Sequence, residues 1–483
     1  MDVEKIPQSS IGLILGPILF LVFYFIALNS EVPDMFLVLG VASWMVTWWI
    51  TEAVPIPATS LLPIILFPLL GIFDILAATA PYADPVIFLF MGGFIIALAM
   101  EHNKLHLRIA LKLITLTGSK PNGIILGFYI ATFVLSMWIS NTATAVMMLP
   151  VALSIINLFK IQNPQIEQDK GYKNFALTLM LGIAYAANIG GVVTIIGTPP
   201  NVVMVGMMRQ FLNIEVDFNT WLIVGIPLGL LMMGIMYSLL VFILYPNKMA
   251  PIAGSDILIK KQLSELGPMG KAEIRVSIIV LITAGGWILR TPINNFIGNP
   301  ILNDTLIGMI GGILMFIVPA GQKDRNVLLG WKQMDRMPWG ILLLFGGGLC
   351  LAKAMEASGI VLEVGNFVSS FENIPEWVLI FVLTLLSLFL TELMSNVALT
   401  TIFIPVVIGI ASGMGIPALI LVIPVTLAAS FAFMLPIATP PNAILFSSGL
   451  IKMKDMIKAG IFLNIIATVI ILLFALTIIK WIY

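Results

Sequence analysis

Two pairs of short polar motifs interrupt an otherwise apolar chain. Ser140-Asn141-Thr142 and Ser395-Asn396-Val397 each stand at the centre of a hydrophobic stretch, 121–158 and 376–410. Thr198-Pro199-Pro200-Asn201 and Thr439-Pro440-Pro441-Asn442 break two others, 176–208 and 418–449. A Ser-Asn pair inside such a stretch ends one half-helix and caps the next, expected to begin at about Ala143 or Ala398. Each break then aims a helix N-terminus, with its free N–H groups and partial positive charge, into the apolar interior. That arrangement holds an anion without a charged side chain. The double prolines lack N–H donors and disfavour helix in the residue before them, so carbonyls of the preceding turn are released. Those carbonyls, with Ser, Thr and Asn oxygens, are hard ligands for a small cation, and irregular backbone at membrane depth is tolerated where it lines a cavity. No Lys or Arg lies near the breaks, although an anion in a low-dielectric site needs counter-charge. One cation per tip, two in all, would neutralise a dianion.

The elements that position these residues are membrane spans. Of 483 residues, 60% are hydrophobic and 10% charged, and mean hydropathy is +1.08; soluble domains carry roughly 25% charged residues. The expectation is an all-α polytopic membrane protein. Apolar runs near 11–28, 34–54, 56–72, 86–100, 176–208, 219–245, 276–290, 304–320, 339–355, 418–449 and 459–482 give about eleven crossings of a core roughly 30 Å thick. The stretches 121–158 and 376–410 read as re-entrant hairpins. With the N-terminus in the cytoplasm, 20 of the 24 Lys and Arg fall in cytoplasmic segments, and Arg209, Arg290, Lys353 and Lys480 fall outside, as the positive-inside rule requires. The outer segment bearing Glu356, Glu363, Glu372 and Glu376 is acidic. This scheme makes the first run an uncleaved anchor and places the C-terminus outside. Lys plus Arg equals Asp plus Glu, so no basic surplus serves nucleic acid. Cys350 has no thiol partner, which excludes an internal disulfide; His102 and His106, with Glu101 alone beside them, give a structural zinc site little to build on.

The chain repeats itself. Phe90-Met-Gly-Gly-Phe-Ile-Ile-Ala-Leu-Ala-Met-Glu101 aligns with Phe345-Gly-Gly-Gly-Leu-Cys-Leu-Ala-Lys-Ala-Met-Glu356 at an offset of 255. The offset carries Ser140-Asn141 onto Ser395-Asn396 and Pro150 onto Pro405, and after a length change the two Thr-Pro-Pro-Asn motifs pair. The first hairpin would enter from the cytoplasm and the second from outside, an inverted repeat. Inverted repeats with broken helices at corresponding positions mark secondary transporters, with substrate and ions between the halves.

Blander readings compete. An isolated Ser-Asn pair in a membrane helix is more often a kink or interhelical glue, but two symmetric copies reverse those odds. Gly92-Gly93 and Gly346-Gly347-Gly348 suit close helix packing. Glu392 could carry a proton, shape a cation site, or hydrogen-bond its hairpin. Glu52 reads as a cap at the interface. The amphipathic stretches 101–118 and 356–372 would lie along the two membrane surfaces. An enzyme needs a nucleophile with its base, paired carboxylates or a metal cluster, and Glu52, Glu392 and Cys350 are scattered. A channel would be expected to show a continuous polar lining.

With these motifs and Ile50-Thr-Glu-Ala-Val-Pro-Ile-Pro57 in view, the chain resembles, over nearly its whole length, the divalent-anion/sodium symporters, which include di- and tricarboxylate carriers and bacterial dicarboxylate exchangers. The resemblance implies a homodimer in the cell membrane in which a transport domain moves against a scaffold as an elevator. It divides the chain into N-terminal scaffold helices (1–85), a first transport repeat (86–208), further scaffold helices with a cytoplasmic loop (209–338), a second transport repeat (339–449) and a C-terminal helix (450–483). One sodium site maps to Ser136, Ser140, Asn141 and a glycine near Gly190 or Gly191. The other maps to Thr391, Ser395, Asn396 and Ala438. Substrate carboxylates map to Asn141, Thr142, Ser395, Asn396, Val397, Thr439 and Pro440. The implied substrates are C4 and C5 dicarboxylates, with sodium as coupling ion and no other cofactor. Val397 stands where some members have Thr, which removes one hydroxyl that could meet a carboxylate; the loss is expected to admit a longer or bulkier acid such as 2-oxoglutarate or citrate beside succinate and malate. Sodium symport and dicarboxylate exchange both fit these residues, and another anion such as sulfate is set aside through the resemblance alone.

Overall fold

A computed structural model describes residues 10–118, 120–162, 164–249, 255–321, 326–371 and 374–482. Lys5, Lys323, Arg325 and Glu372, which bear on the charge bias, lie outside them. The described residues form helices and no strand. In order these are α1 (Ser10–Ala27), α2 (Pro33–Thr51), the short α3 (Ile56–Thr59), α4 (Leu62–Leu69) and α5 (Ile75–Thr79), then α6 (Pro85–His102) and α7 (Leu105–Leu116). The first hairpin is α8 (Pro121–Ser136) with α9 (Asn141–Gln162), and the first broken helix is α10 (Lys170–Gly191) with α11 (Pro199–Leu212). Next come α12 (Phe218–Ser238), α13 (Ser255–Glu265), α14 (Lys271–Ile297) and α15 (Asp304–Ile317). The pattern then returns with α16 (Trp339–Ala357), α17 (Ile360–Ser369), hairpin α18 (Glu376–Leu390) and α19 (Asn396–Met414), broken helix α20 (Ala418–Ser430) and α21 (Pro440–Phe446), and α22 (Met453–Phe474).

The repeat legible in sequence is thus a repeat of elements: α6 to α11 recur as α16 to α21. Its register holds at the helix starts, since Pro121 and Glu376, and Asn141 and Asn396, are paired by the same offset of 255. Both hairpin helices begin at the Asn, two residues earlier than Ala143 and Ala398. Ser140 takes the cap position, where its Oγ accepts from the Ala143 N–H at 3.2 Å.

Among the described residues, nine helices are long and apolar enough to cross a membrane. They are not the eleven expected runs one for one. The runs 11–28, 56–72, 304–320 and 418–449 are built from shorter helices, while the hairpin arms α9 and α19 reach spanning length. Length and apolarity do not separate a crossing from a long re-entrant arm; the break between its halves does.

Local chemistry sets the turns. The Asp84 carboxylate accepts from the Val86 N–H at 2.8 Å and Pro85 opens α6. α6 ends at His102, and Lys104 in the left-handed region (φ 60°) redirects the chain into α7. Arg108 on α7 is nearly buried and makes a two-point ion pair with Glu273 of α14, at 2.8 and 3.0 Å, and also donates to the Gly267 carbonyl. That pair holds the amphipathic α7 against the start of a long span. In the absence of a strong hydrophobic drive between helices in lipid, small residues set how closely they approach. At Gly92 a Cβ would lie 2.6 Å from the Gly308 carbonyl carbon, so α6 and α15 touch backbone to backbone.

α12 is fastened to the first broken helix: Trp221 Nε1 donates to the Val192 carbonyl at 2.9 Å, in the unwound stretch between α10 and α11. The start of α12 meets α14 and α15 through Arg290, which pairs with Asp217 and with Asp304 (3.0 Å). Phe218 stacks on Trp287 with ring centroids 4.8 Å apart.

Candidate functional site

At the first tip, α8 stops at Ser136 and the chain turns through 137–140 into α9. Two oxygens there are buried without a hydrogen-bond partner, Ser136 Oγ and Asn141 Oδ1. Asn141 Oδ1 faces Gly191 at the end of α10, and the Ser136 backbone carbonyl faces Gly197 in the unwound segment that follows. A Cβ on Gly191 would lie 2.6 Å from Asn141 Oδ1, and one on Gly197 would lie 3.0 Å from the Ser136 carbonyl and would collide with the Gly191 carbonyl. Only glycine allows these oxygens so close. Asn201, the last residue of the first Thr-Pro-Pro-Asn, donates its amide to the Val192 and Thr194 carbonyls at 3.2 and 2.9 Å, and Thr194 Oγ1 donates to the Met137 carbonyl at 2.6 Å. The unwound loop and the tip are therefore one unit. Orphaned buried oxygens gathered at one place are uncommon in native proteins and call for an ion or water; a small hard cation fits this donor set.

The second tip repeats the device with different wiring. Thr391 Oγ1 lies 2.7 Å from Asn396 Oδ1 and 2.6 Å from the Ala429 carbonyl. A hydroxyl has one hydrogen, so it donates to one of these at a time and leaves the other pair as facing oxygens. Asn442 mirrors Asn201, donating to the Ala432 and Leu435 carbonyls at 3.0 and 3.1 Å. Glu392 is the added element. Its buried carboxylate accepts from the backbone N–H groups of Phe433, Met434 and Leu435 at 2.8, 2.9 and 3.0 Å and from Asn464 of α22 at 2.9 Å. Of the readings open for Glu392, the hydrogen-bonding one is what the geometry displays, directed at the neighbouring broken helix rather than at its own hairpin.

Between the tips lies a cavity of about 790 Å³. It is lined by Ser140-Asn141-Thr142 and Ser395-Asn396-Val397 from the hairpins, and by Thr198-Pro199-Pro200 and Ala438-Thr439-Pro440-Pro441 from the broken helices. Ser136, Gly191 and Thr391 stand behind this lining, buried against the tips. Helices α9, α11 and α19 all start at the cavity. Pro199 and Pro200 carry no N–H, so the free backbone donors come mainly from the hairpin tips. Among the described residues no Lys or Arg lines the space, and the one charged lining residue is Glu52. Glu52 is the residue that follows α2, in the left-handed region with φ 48°.

Sequence reasoning overlooked Asn188, a buried amide on α10 that also lines the cavity, and Asn464, the amide on Glu392. Each is an isolated polar residue inside a long apolar run, and that was the available signal. It overlooked as well that Trp49 to Glu52 border the cavity, because contact between distant spans leaves no local pattern.

The family described as "Sodium:sulfate symporter transmembrane region" matches residues 8–483. The chain is 38% identical over 466 residues to the "Sodium-dependent dicarboxylate transporter SdcS" of Staphylococcus saprophyticus, covering 96% of this chain and 90% of that one. It is 40% identical over 477 residues to the protein of the same name from Staphylococcus aureus strain USA300, covering 97% and 92%. Among solved structures it is similar in fold to the YdaH transporter of Alcanivorax borkumensis, with a TM-score of 0.56, 14% identity and coverage of 84% and 87%.

Proposed function

The chain belongs to the sodium:sulfate symporter transmembrane family, and from that premise we propose that it is a carrier that moves C4 and C5 dicarboxylates across the cell membrane coupled to sodium. The observation that carries this reading is a cavity between two helix-capped tips with no cationic side chain among its described lining residues, backed at the first tip by buried oxygens without partners. A dianion there requires positive charge. Two sodium ions, one behind each tip, supply it and make anion affinity depend on sodium.

In this reading Ser136, Ser140, Asn141 and the Gly191 carbonyl hold one ion; Thr391, Ser395, Asn396 and Ala438 hold the other. Asn141, Thr142, Ser395, Asn396, Val397, Thr439 and Pro440 meet the carboxylates. The hairpins and broken helices move as one body against the scaffold of a homodimer, the N-terminus lies in the cytoplasm and the C-terminus outside. The cavity extends to Glu52 and Pro338, which lie toward the cytoplasm in that orientation.

Uptake of radiolabelled succinate into proteoliposomes tests the reading. We expect uptake into empty vesicles under an inward sodium gradient. Uptake that needs internal dicarboxylate and ignores sodium would instead make the protein an exchanger, and preference for sulfate would move the substrate class.

Val397 lines the cavity opposite Thr142 in repeat position. Val397→Thr is nearly isosteric and restores a hydroxyl. Competition by succinate, malate, 2-oxoglutarate and citrate is expected to shift toward the two C4 acids by a factor of about three to ten, roughly the value of one hydrogen bond. An unchanged rank order would remove Val397 as a determinant of acid length.

A further inference from the structure

We propose that Asn188 is a positioning residue for dicarboxylate binding: it fixes the hydroxyl of Thr439 as a hydrogen-bond donor directed at the cavity. The proposal rests on the carrier reading above and goes beyond it by naming a residue of the first repeat that acts on the substrate contact of the second.

The polarity is set by backbone carbonyls, whose roles are unambiguous. The Ala432 and Leu435 carbonyls accept from Asn442 Nδ2 at 3.0 and 3.1 Å. That fixes the amide of Asn442 and turns its Oδ1 toward Asn188. Around the Asn188 amide stand three oxygens: the Ala432 carbonyl at 3.2 Å, Thr439 Oγ1 at 3.2 Å and Asn442 Oδ1 at 3.5 Å. Only a nitrogen with its two hydrogens satisfies such a neighbourhood, so Nδ2 faces them. Thr439 Oγ1 thereby accepts from Asn188, and it accepts also from the Asn442 N–H at 3.4 Å as the cap of α21. A hydroxyl has two acceptor positions and one donor. With both acceptor positions engaged, the Thr439 hydrogen points away from them, and Thr439 lines the cavity. A carboxylate accepts hydrogen bonds and cannot donate one, so a hydroxyl held in this sense is pre-set for it.

The device is one-sided. Asn188 stands ten residues before Thr198, and the residue ten before Thr439 is Ala429, which has no polar side chain. Thr198 makes no side-chain cap bond in α11. The two proline breaks therefore differ in kind, and the second is the pre-set donor.

A double-mutant cycle tests this on the reconstituted full-length protein. Asn188→Leu keeps the branching of the side chain and removes the donor. It is expected to raise the KM for succinate about tenfold while the maximal rate, and the sodium half-saturation measured at saturating succinate, hold. In a Thr439→Val background the same change should raise KM less than twofold, because the group it acts through is gone. Equal rises in both backgrounds would overturn the proposal and make Asn188 a clamp between the broken helices. An unchanged KM in the single variant would overturn it too. Should the leucine variant fail to give a monodisperse protein, Asn188→Asp takes its place. It keeps the shape, reverses the polarity and is expected to show the same non-additivity. Absence of sodium-dependent succinate uptake by the parent protein would count against the carrier reading itself, before any variant is compared.

Discussion

Asn141→Ala is expected to abolish sodium-driven succinate uptake, lowering it at least 100-fold at physiological sodium, while the protein remains folded. Asn141 opens α9 and has a buried side-chain oxygen without a partner, set 2.6 Å from where a Cβ on Gly191 would be. It therefore serves two charges at once: the oxygen faces the cation position, and the helix N-terminus faces the cavity. Removing it takes a ligand from the first sodium ion and, through the loss of that charge, weakens the anion; a loss of about 2.7 kcal/mol already gives a factor of 100. Because the oxygen makes no hydrogen bond within the protein, its removal leaves no other group unsatisfied. Thermal stability in the absence of sodium should change by no more than 1 to 2 °C, and the stabilisation that sodium plus succinate give the parent should vanish. Asn396→Ala should be equally inactive but less stable, since Asn396 Oδ1 is within reach of Thr391. Near-normal uptake by either variant would put the site elsewhere.

The amount of this site legible in sequence follows from how local each signal is. Ser-Asn and Thr-Pro-Pro-Asn act on the backbone within a few residues, so they were visible twice each, and the repeat confirmed that they belong together. The hairpins and broken helices fall where those breaks demanded. α9 and α19 start two residues before Ala143 and Ala398 because the Asn of each pair is already helical, and at the first tip Ser140 alone is the cap. The eleven expected crossings include two runs, 176–208 and 418–449, that the double prolines mark as broken, and they include crossings that helix length alone does not find. α15 spans only Asp304–Ile317 and α20 only Ala418–Ser430, so a window set to membrane thickness reads broken and short spans poorly. Asn188 and Glu52 became cavity residues through packing of spans far apart in sequence, which no local pattern encodes. The contacts of α12 have no local signature either: it is joined to the unwound segment by Trp221 and to α14 by Arg290, and both contacts depend on the assembled fold.

Glu392→Ala is the substitution expected to cost the most stability. The carboxylate is 2% exposed and gathers four donors, three of them consecutive N–H groups of the stretch that unwinds after α20. In a helix those N–H groups would be satisfied by carbonyls four residues back; here the carboxylate replaces those partners and so makes the unwound conformation tenable. Position 137, its mate in the first repeat, is Met, and there the loop is held by Thr194 and Asn201 instead. Removing the acceptor strands three backbone donors and the Asn464 amide in a dry interior, at roughly 1–3 kcal/mol for each group left unpaired. Partial relaxation and entering water reduce the sum, and a net loss of about 3 kcal/mol or more is expected. The second tip and the Thr439 break share this segment, so uptake should be lost with the fold of that half. Glu392→Gln gives the discriminating comparison. With its oxygen in the Oε1 position the amide keeps an acceptor for the Phe433, Met434 and Asn464 donors but sets an NH2 against the Leu435 N–H, so it should recover only part of the thermal stability. A proton-carrying role would predict the opposite: an alanine variant as stable as the parent, with uptake lost and its pH dependence flattened.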